Sequence, residues 1–236
     1  MALVIGDSHA RIIATGQETL PADDPAKAHR VFMLAVGRGF LKRFSVETPN
    51  GVRFRGGRKQ EFLLSNAGIE DLTPSNSPLF LSLGFHGVYF FHSKLWNDYT
   101  IAEGVTDRQF LSQSAFKLMA TRFNFHILSF LDQLKAKGIK PVIVAAPPLP
   151  ARFVAQPKVG SMDTAELLML ETAYRKTFSA ALRRRKIDII APPEAALEDG
   201  RLAARLIRSD DQYEYHGNAD YGVMVLRQIE DYLANN

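Results

Sequence analysis

The feature that most constrains this chain is a series of short apolar runs, each closed by glycine or proline punctuation, that alternate with long stretches of helical periodicity. Ala2 to Ile5 runs into Gly6-Asp7-Ser8. Val52 to Arg55 lies between Asn50-Gly51 and Gly56-Gly57. Leu79 to Leu83 follows a Pro-Ser-Asn-Ser-Pro turn, Pro141 to Ala146 ends at Pro147-Pro148, and Ile187 to Ile190 stops before Pro192-Pro193. Such runs, apolar without alternation, predict strands buried on both faces. Between the third and fourth runs, Phe116, Met119, Phe123, Ile127, Phe130, Leu131 and Leu134 recur at helical steps. Leu167, Leu170, Tyr174, Phe178 and Ala181 do the same after an N-cap at Asp163 or Thr164, and Tyr221, Val225, Ile229 and Leu233 mark a last helix. Strands alternating with helices of this length require right-handed crossovers between parallel strands. The expected fold is α/β, a three-layer α/β/α sandwich around a parallel sheet of about five strands.

The 236 residues are expected to form one domain, 1–236, with an insertion around 16–50, where Val31 to Val36 reads equally as strand or helix. A composition 46% hydrophobic and 23% charged is that of a globular chain with a sizeable core, not of a disordered one. The absence of cysteine excludes a disulfide framework and a cysteine-held zinc. The net charge of +4 is spread along the chain except at Arg183-Arg184-Arg185-Lys186, which falls at a helix C-terminus where cations are favoured. No nucleic-acid partner is therefore expected. Neither a secretory leader nor a membrane-spanning apolar run is visible, so a cytoplasmic location with no membrane partner is expected.

In an open parallel sheet, reactive groups gather beyond the carboxyl ends of the strands. Three such ends carry chemistry here. Gly6-Asp7-Ser8-His9 places a serine at a tight turn where a helix N-terminus can stabilise an anion; its plainer reading is a turn with an N-cap. The second is Gly84-Phe85-His86-Gly87 and the third Ala145-Ala146-Pro147-Pro148. Near the C-terminus, Asp210-Asp211 precedes His216-Gly217-Asn218, so that His216 enters a helix behind acidic residues, as a general base held by a carboxylate would.

Taken in order, these blocks resemble the SGNH/GDSL hydrolases along nearly the whole chain. Val4-Ile5-Gly6-Asp7-Ser8 is similar to the family's first block, Lys140 through Pro148 to its proline-ended fourth strand, and His216-Gly217-Asn218 through Gly222 to its last block. The resemblance implies a flavodoxin-like sheet and a serine esterase or acyltransferase. Its nucleophile would be Ser8, its base His216 and its acid Asp211, with Asp210 or Glu214 as alternatives. The implied oxyanion hole combines the Ser8 N–H, a glycine N–H and a polar side chain from the third block. The glycine is best matched by Gly57 or Gly56, with Gly68 competing. The side chain is His86, standing where the family has asparagine; the family's aspartate position before the histidine is Tyr213 here. Asp7, Gly84 and Phe85 are candidate substrate-binding residues, and Tyr89, Phe90, Phe91 and Trp96 are candidates for a pocket wall or for core. The resemblance implies no cofactor and no metal. The expected substrate is an O-acyl ester, with a short acyl group on a sugar, glycan or other small alcohol. The alternative is a binding or regulatory protein that keeps the fold without efficient hydrolysis. A nucleotide binder is disfavoured because no glycine-rich phosphate loop follows the first strand. The oligomeric state is left open.

Overall fold

The computed structural model describes residues 1–55, 57–154, 162–210 and 215–236. In chain order the elements are β1 (Leu3–Gly6), α1 (Ser8–Thr19), β2 (Arg30–Met33), β3 (Ser45–Glu47), β4 (Val52–Phe54), α2 (Gly57–Ala67), β5 (Leu79–Ser82) and α3 (Val88–Phe91). There follow β6 (Tyr99–Thr100), β7 (Gln109–Phe110), α4 (Gln113–Phe123), α5 (Phe125–Ala136), β8 (Pro141–Val144), α6 (Ala151–Val154) and α7 (Thr164–Arg184). The chain ends with β9 (Asp188–Ile190), β10 (Leu197–Glu198), β11 (Arg201–Leu202) and α8 (Ala219–Ala234).

The apolar runs become strands because alternate side chains face opposite helical layers. Leu3, Ile5, Leu79, Leu81 and Ile143 point to one side, where they meet Phe130, Leu131 and Leu134 of α5 and Phe178 and Leu182 of α7. Val4, Phe80, Val142 and Val144 point to the other and meet Ile12 and Ile13 of α1 and Val225, Leu226 and Ile229 of α8. Five strands pair in the order β2-β1-β5-β8-β9, every pair parallel. This is the expected three-layer sandwich.

One strand differs from the sequence reading. Val52 to Arg55 was expected in the central sheet, but β4 pairs with β3 in an antiparallel hairpin that packs Phe44, Val52 and Phe54 over the α5 face. The place beside β1 is taken by β2, with Leu3 opposite Arg30 and Gly6 opposite Met33. The stretch expected as an insertion around 16–50 thus contributes a sheet strand. β2 escaped recognition because it is an edge strand, half-buried throughout, and its sequence does not read as a buried run. The long helical pattern across 116–134 is two helices, broken at Asn124, whose side chain turns back to Ala120 O and meets the Tyr174 hydroxyl.

The order of strand addition reverses at β1: β2 lies on one side of it and β5 on the other, which makes the β1/β5 boundary the switch point where loops part into a crevice. α1 and α8 cross there at glycines. A β-carbon on Gly222 would lie 2.2 Å from Ile12 O, and one on Gly16 would lie 2.5 Å from Val223 N. Backbone therefore packs on backbone, and the two helix N-termini are drawn to one end of the sheet. In an ordinary helix interior, glycine to alanine stabilises by about 1 kcal/mol. Here Gly222→Ala is expected to destabilise by about 3 kcal/mol, since the obstructing atoms are main chain and cannot rotate away. Urea unfolding of the variant beside the native protein reads the sign directly.

Candidate active site

Ser8 is the first residue of α1. Asp7 is its N-cap, extended at φ −87° and ψ −156°, with Oδ1 accepting the His9 N–H at 3.0 Å. The backbone enters this turn pinned from both sides: Asp7 N–H donates to Ser82 O of β5, and Leu34 N–H donates to Gly6 O. The Ser8 N–H lies among the helix-start donors that lack intrahelical acceptors. From the other end of the chain, His216 arrives on a segment held by the Arg208 N–H donating to His216 O at 3.0 Å and the Asn218 N–H donating to Leu206 O at 2.7 Å. Asn218 then caps α8 by accepting the Tyr221 N–H. The result places Ser8 Oγ 2.9 Å from His216 Nε2.

These two residues open onto a pocket of about 330 Å³ whose walls include Gly37, His86, Tyr89, Arg11, Arg208 and Tyr215. His86 comes from the loop after β5. Its ring stacks near-parallel to His216 at 6.2 Å between centroids and lies 4.8 Å from that of Tyr215. Gly84, two residues before it, has φ +85°, and a β-carbon there would lie 2.2 Å from Phe178. The loop can therefore take this course only with glycine.

The glycine brought to the pocket is Gly37, which follows β2. A β-carbon on it would lie 3.5 Å from the His86 ring and 3.9 Å from Asp7 Oδ2. Gly57 instead opens α2, where the nearest side chain is its own helix's Glu61, and it does not line this pocket. Gly56 lies outside the described residues, and Gly68 sits at a positive φ after α2 with nothing near it. The displacement follows from the exchange of β4 for β2 in the sheet. A signal was present in Val36-Gly37, directly after the ambiguous run Val31 to Val36.

Of the acid candidates, Asp211 and Glu214 lie outside the described residues. Asp210 lines the pocket, exposed, with Oδ1 2.6 Å from Arg208 Nε. Phe85 is buried, edge-on to Phe178 and beneath the Arg175 guanidinium, so it supports the floor and does not line the pocket. Phe90, Phe91 and Trp96 are core around Tyr174; Tyr89 alone of that group reaches the pocket, with Arg38 5.0 Å over its ring.

The sequence reading missed a third histidine. His9, 4% exposed, places Nε2 2.9 Å from His86 Nδ1. Its position could have been found, since residues 9, 12, 13 and 16 fall on the one buried stripe of α1. Burial, together with the charges of His86, His216 and Arg175, pushes the His9 pKa well below the usual histidine range, so the ring is neutral at physiological pH. Asp7, 3% exposed, is pushed up to about 7 by burial against the opposing effect of its backbone hydrogen bonds. Among the described residues no cluster of three or more His, Asp or Glu side chains is arranged to hold a metal, and no helix is long and apolar enough to cross a membrane.

No family model matches the sequence, and a comparison with curated proteins found no relative. Solved structures do match. A protein assigned to the acylhydrolases, from Bacteroides fragilis, is 10% identical with a TM-score of 0.50, over 99% of this chain and 86% of its own. A GDSL-like lipase from Bacteroides thetaiotaomicron is 9% identical with a TM-score of 0.50, over 99% of this chain and 87% of its own. At these identities the likeness is one of fold, and the fold is that of the SGNH/GDSL hydrolases.

The raised Asp7 pKa carries a linkage with a definite sign. Between about pH 4 and pH 7 the unfolded chain releases this proton while the folded chain keeps it, so stability falls as pH rises through that window and levels off above it. Asp7→Asn keeps the cap and removes the titration. The variant is expected to match the native protein below pH 4 and to exceed it at pH 8, by up to about 4 kcal/mol. Denaturant unfolding at the two pH values measures the difference.

Proposed function

We propose that this protein is a serine-dependent esterase or acyltransferase that acts on O-acyl esters, cleaving or transferring a short acyl group from a sugar, glycan or other small alcohol. The observation that carries the reading is the 2.9 Å contact between Ser8 Oγ and His216 Nε2 at the start of a helix and on the wall of an open pocket. A hydroxyl with its own base at hydrogen-bond distance, beside backbone donors aimed at a developing anion, is what nucleophilic acyl transfer requires. A binding or regulatory protein has no need of that contact.

In the proposed reaction His216 Nε2 takes the Ser8 hydroxyl proton as Oγ bonds to the ester carbonyl carbon. The carbonyl oxygen becomes an oxyanion, held by the Ser8 N–H, the Gly37 N–H and a hydrogen of the His86 ring. Collapse restores the carbonyl and breaks the bond to the alcohol oxygen, which leaves with the proton from His216. Water or an acceptor hydroxyl then gives its proton to His216, attacks the acyl-serine, and Ser8 recovers its hydrogen as the acid or new ester departs. Asp211 is the proposed carboxylate behind His216, with Glu214 as the alternative; Asp210 is already engaged by Arg208.

A fluorophosphonate probe is expected to label Ser8 and to fail on Ser8→Ala. Turnover of a p-nitrophenyl acetate or acetylated-sugar substrate should fall by at least about a thousandfold in Ser8→Ala and in His216→Ala, and scarcely further in the double variant, because the pair acts as one unit. Near-native turnover by Ser8→Ala would defeat the reading. His86→Ala is expected to cost roughly a hundred- to a thousandfold in kcat, with His86→Asn recovering part of it. Unchanged kcat in His86→Ala would remove that ring from the oxyanion hole.

A further inference from the structure

The His9–His86 contact contains one hydrogen and two nitrogens, and the surroundings of His9 decide where that hydrogen lies. His9 Nδ1 is buried and meets no hydrogen-bond partner among the described residues. If His86 donated from Nδ1, a neutral His9 would accept at Nε2 and carry its own hydrogen on Nδ1, as an orphaned buried N–H. Such a group costs about 1–3 kcal/mol, and orphaned buried N–H groups are rarer in proteins than unfilled acceptors. If His9 donates from Nε2, only a lone pair is left unfilled at Nδ1. Protonating His9 would hydrogenate both nitrogens, but that form is suppressed by its burial and by its charged neighbours.

Titratable and charged groups face the ring from every element packed on it, those that oppose its cation being His86, His216 and Arg175. Asp7 precedes it on the same turn, His86 comes from the loop after β5, and His216 from the segment before α8, with ring centroids 4.8 and 5.2 Å away. The fourth is Arg175 of α7, whose guanidinium is buried beneath the loops, donates from Nη2 to Ala146 O at 2.9 Å and cannot lose its charge at physiological pH. Tyr221 of α8, also buried, adds a neutral hydroxyl near that guanidinium.

We propose that His9 is a positioning residue that locks His86 in one tautomer: Nε2–H of His9 donates to Nδ1 of His86, so the hydrogen of His86 is carried on Nε2, the ring nitrogen on the side away from His9. The catalytic half of this inference rests on the proposed esterase reading; the tautomer itself does not. A neutral imidazole in the oxyanion hole is useful only while its hydrogen stays on the donating atom, and an asparagine in that place faces no such choice. Protonation of His86 is opposed by the same contact, because a hydrogen on its Nδ1 would force His9 into the orphaned form.

Two measurements test this. In protein labelled with nitrogen-15 histidine, multiple-bond proton–nitrogen correlations are expected to show His86 Nε2 protonated and Nδ1 bare across pH 6 to 8; a hydrogen on Nδ1 overturns the proposal. With p-nitrophenyl acetate, His9→Phe is expected to lower kcat by roughly ten- to a hundredfold with little change in KM, less than loss of the donor itself. His9→Gln, whose amide can donate from a similar position, should restore most of that loss. In a His86→Asn background, which has no tautomer to lock, His9→Phe should change kcat by less than about threefold. An equal penalty in both backgrounds would make His9 a merely structural residue and overturn the proposal, as would an unimpaired His9→Phe. A native protein that cleaved no ester would instead remove the functional reading, and the nitrogen spectra would still decide the tautomer.

Discussion

The close crossing of α1 and α8 is the contact on which the site depends. Ser8 and His216 stand at opposite ends of the chain, and nothing local brings them together. They meet because each lies at the N-terminal end of a helix, and those helices touch through the main chain at Gly16 and Gly222. A separation larger by the width of one methyl group at the crossing would move the helix ends apart by more than a hydrogen bond tolerates. The apolar stripe beneath, Ile12 and Ile13 against Val225, Leu226 and Ile229, supplies the driving force, while the glycines set the distance at which it acts.

The sequence made legible what local chemistry determines. β1, β5 and β8 could be read because they are short, apolar without alternation and bounded by turn residues, and Ser8 and His216 because each adjoins a strand end or helix entry. β2 could not be. Arg30-Val31-Phe32-Met33 is half-buried at the sheet edge, whereas Val52-Arg53-Phe54 carries better turn signals yet belongs to a hairpin. Whether a run pairs in the sheet or folds over it depends on tertiary contacts that propensity does not encode. That exchange moved the candidate glycine from Gly57 to Gly37. His86 was legible by its place after Gly84, but its contact with His9 was not, since Ser8-His9 reads locally as helix start and only packing shows the ring facing inward.

The floor beneath the pocket is unusually polar for a sheet-end core. Asp7 and His9 are buried there beside the half-buried Arg175, with Glu171 close by accepting the Leu149 N–H and its pKa raised by burial. Burying such groups opposes folding, and the balance is met by the apolar layers on both sides of the sheet.

The electrostatic consequence concerns how many imidazoles near Ser8 can be charged at once. Three rings lie within 6.2 Å of one another, and in the proposed reaction one of them, His216, must become a cation while an oxyanion forms beside it. A second imidazolium at the His9 distance of 5.2 Å would oppose that cation by about 3 kcal/mol at an effective dielectric of 20, a weakening of the base by about two pH units. Burial of His9 and the fixed charge of Arg175 keep the first ring neutral, and the contact with His9 holds the second ring to one tautomer. In the proposed reaction the imidazole that takes up the proton is then His216, whose charge can attract the oxyanion.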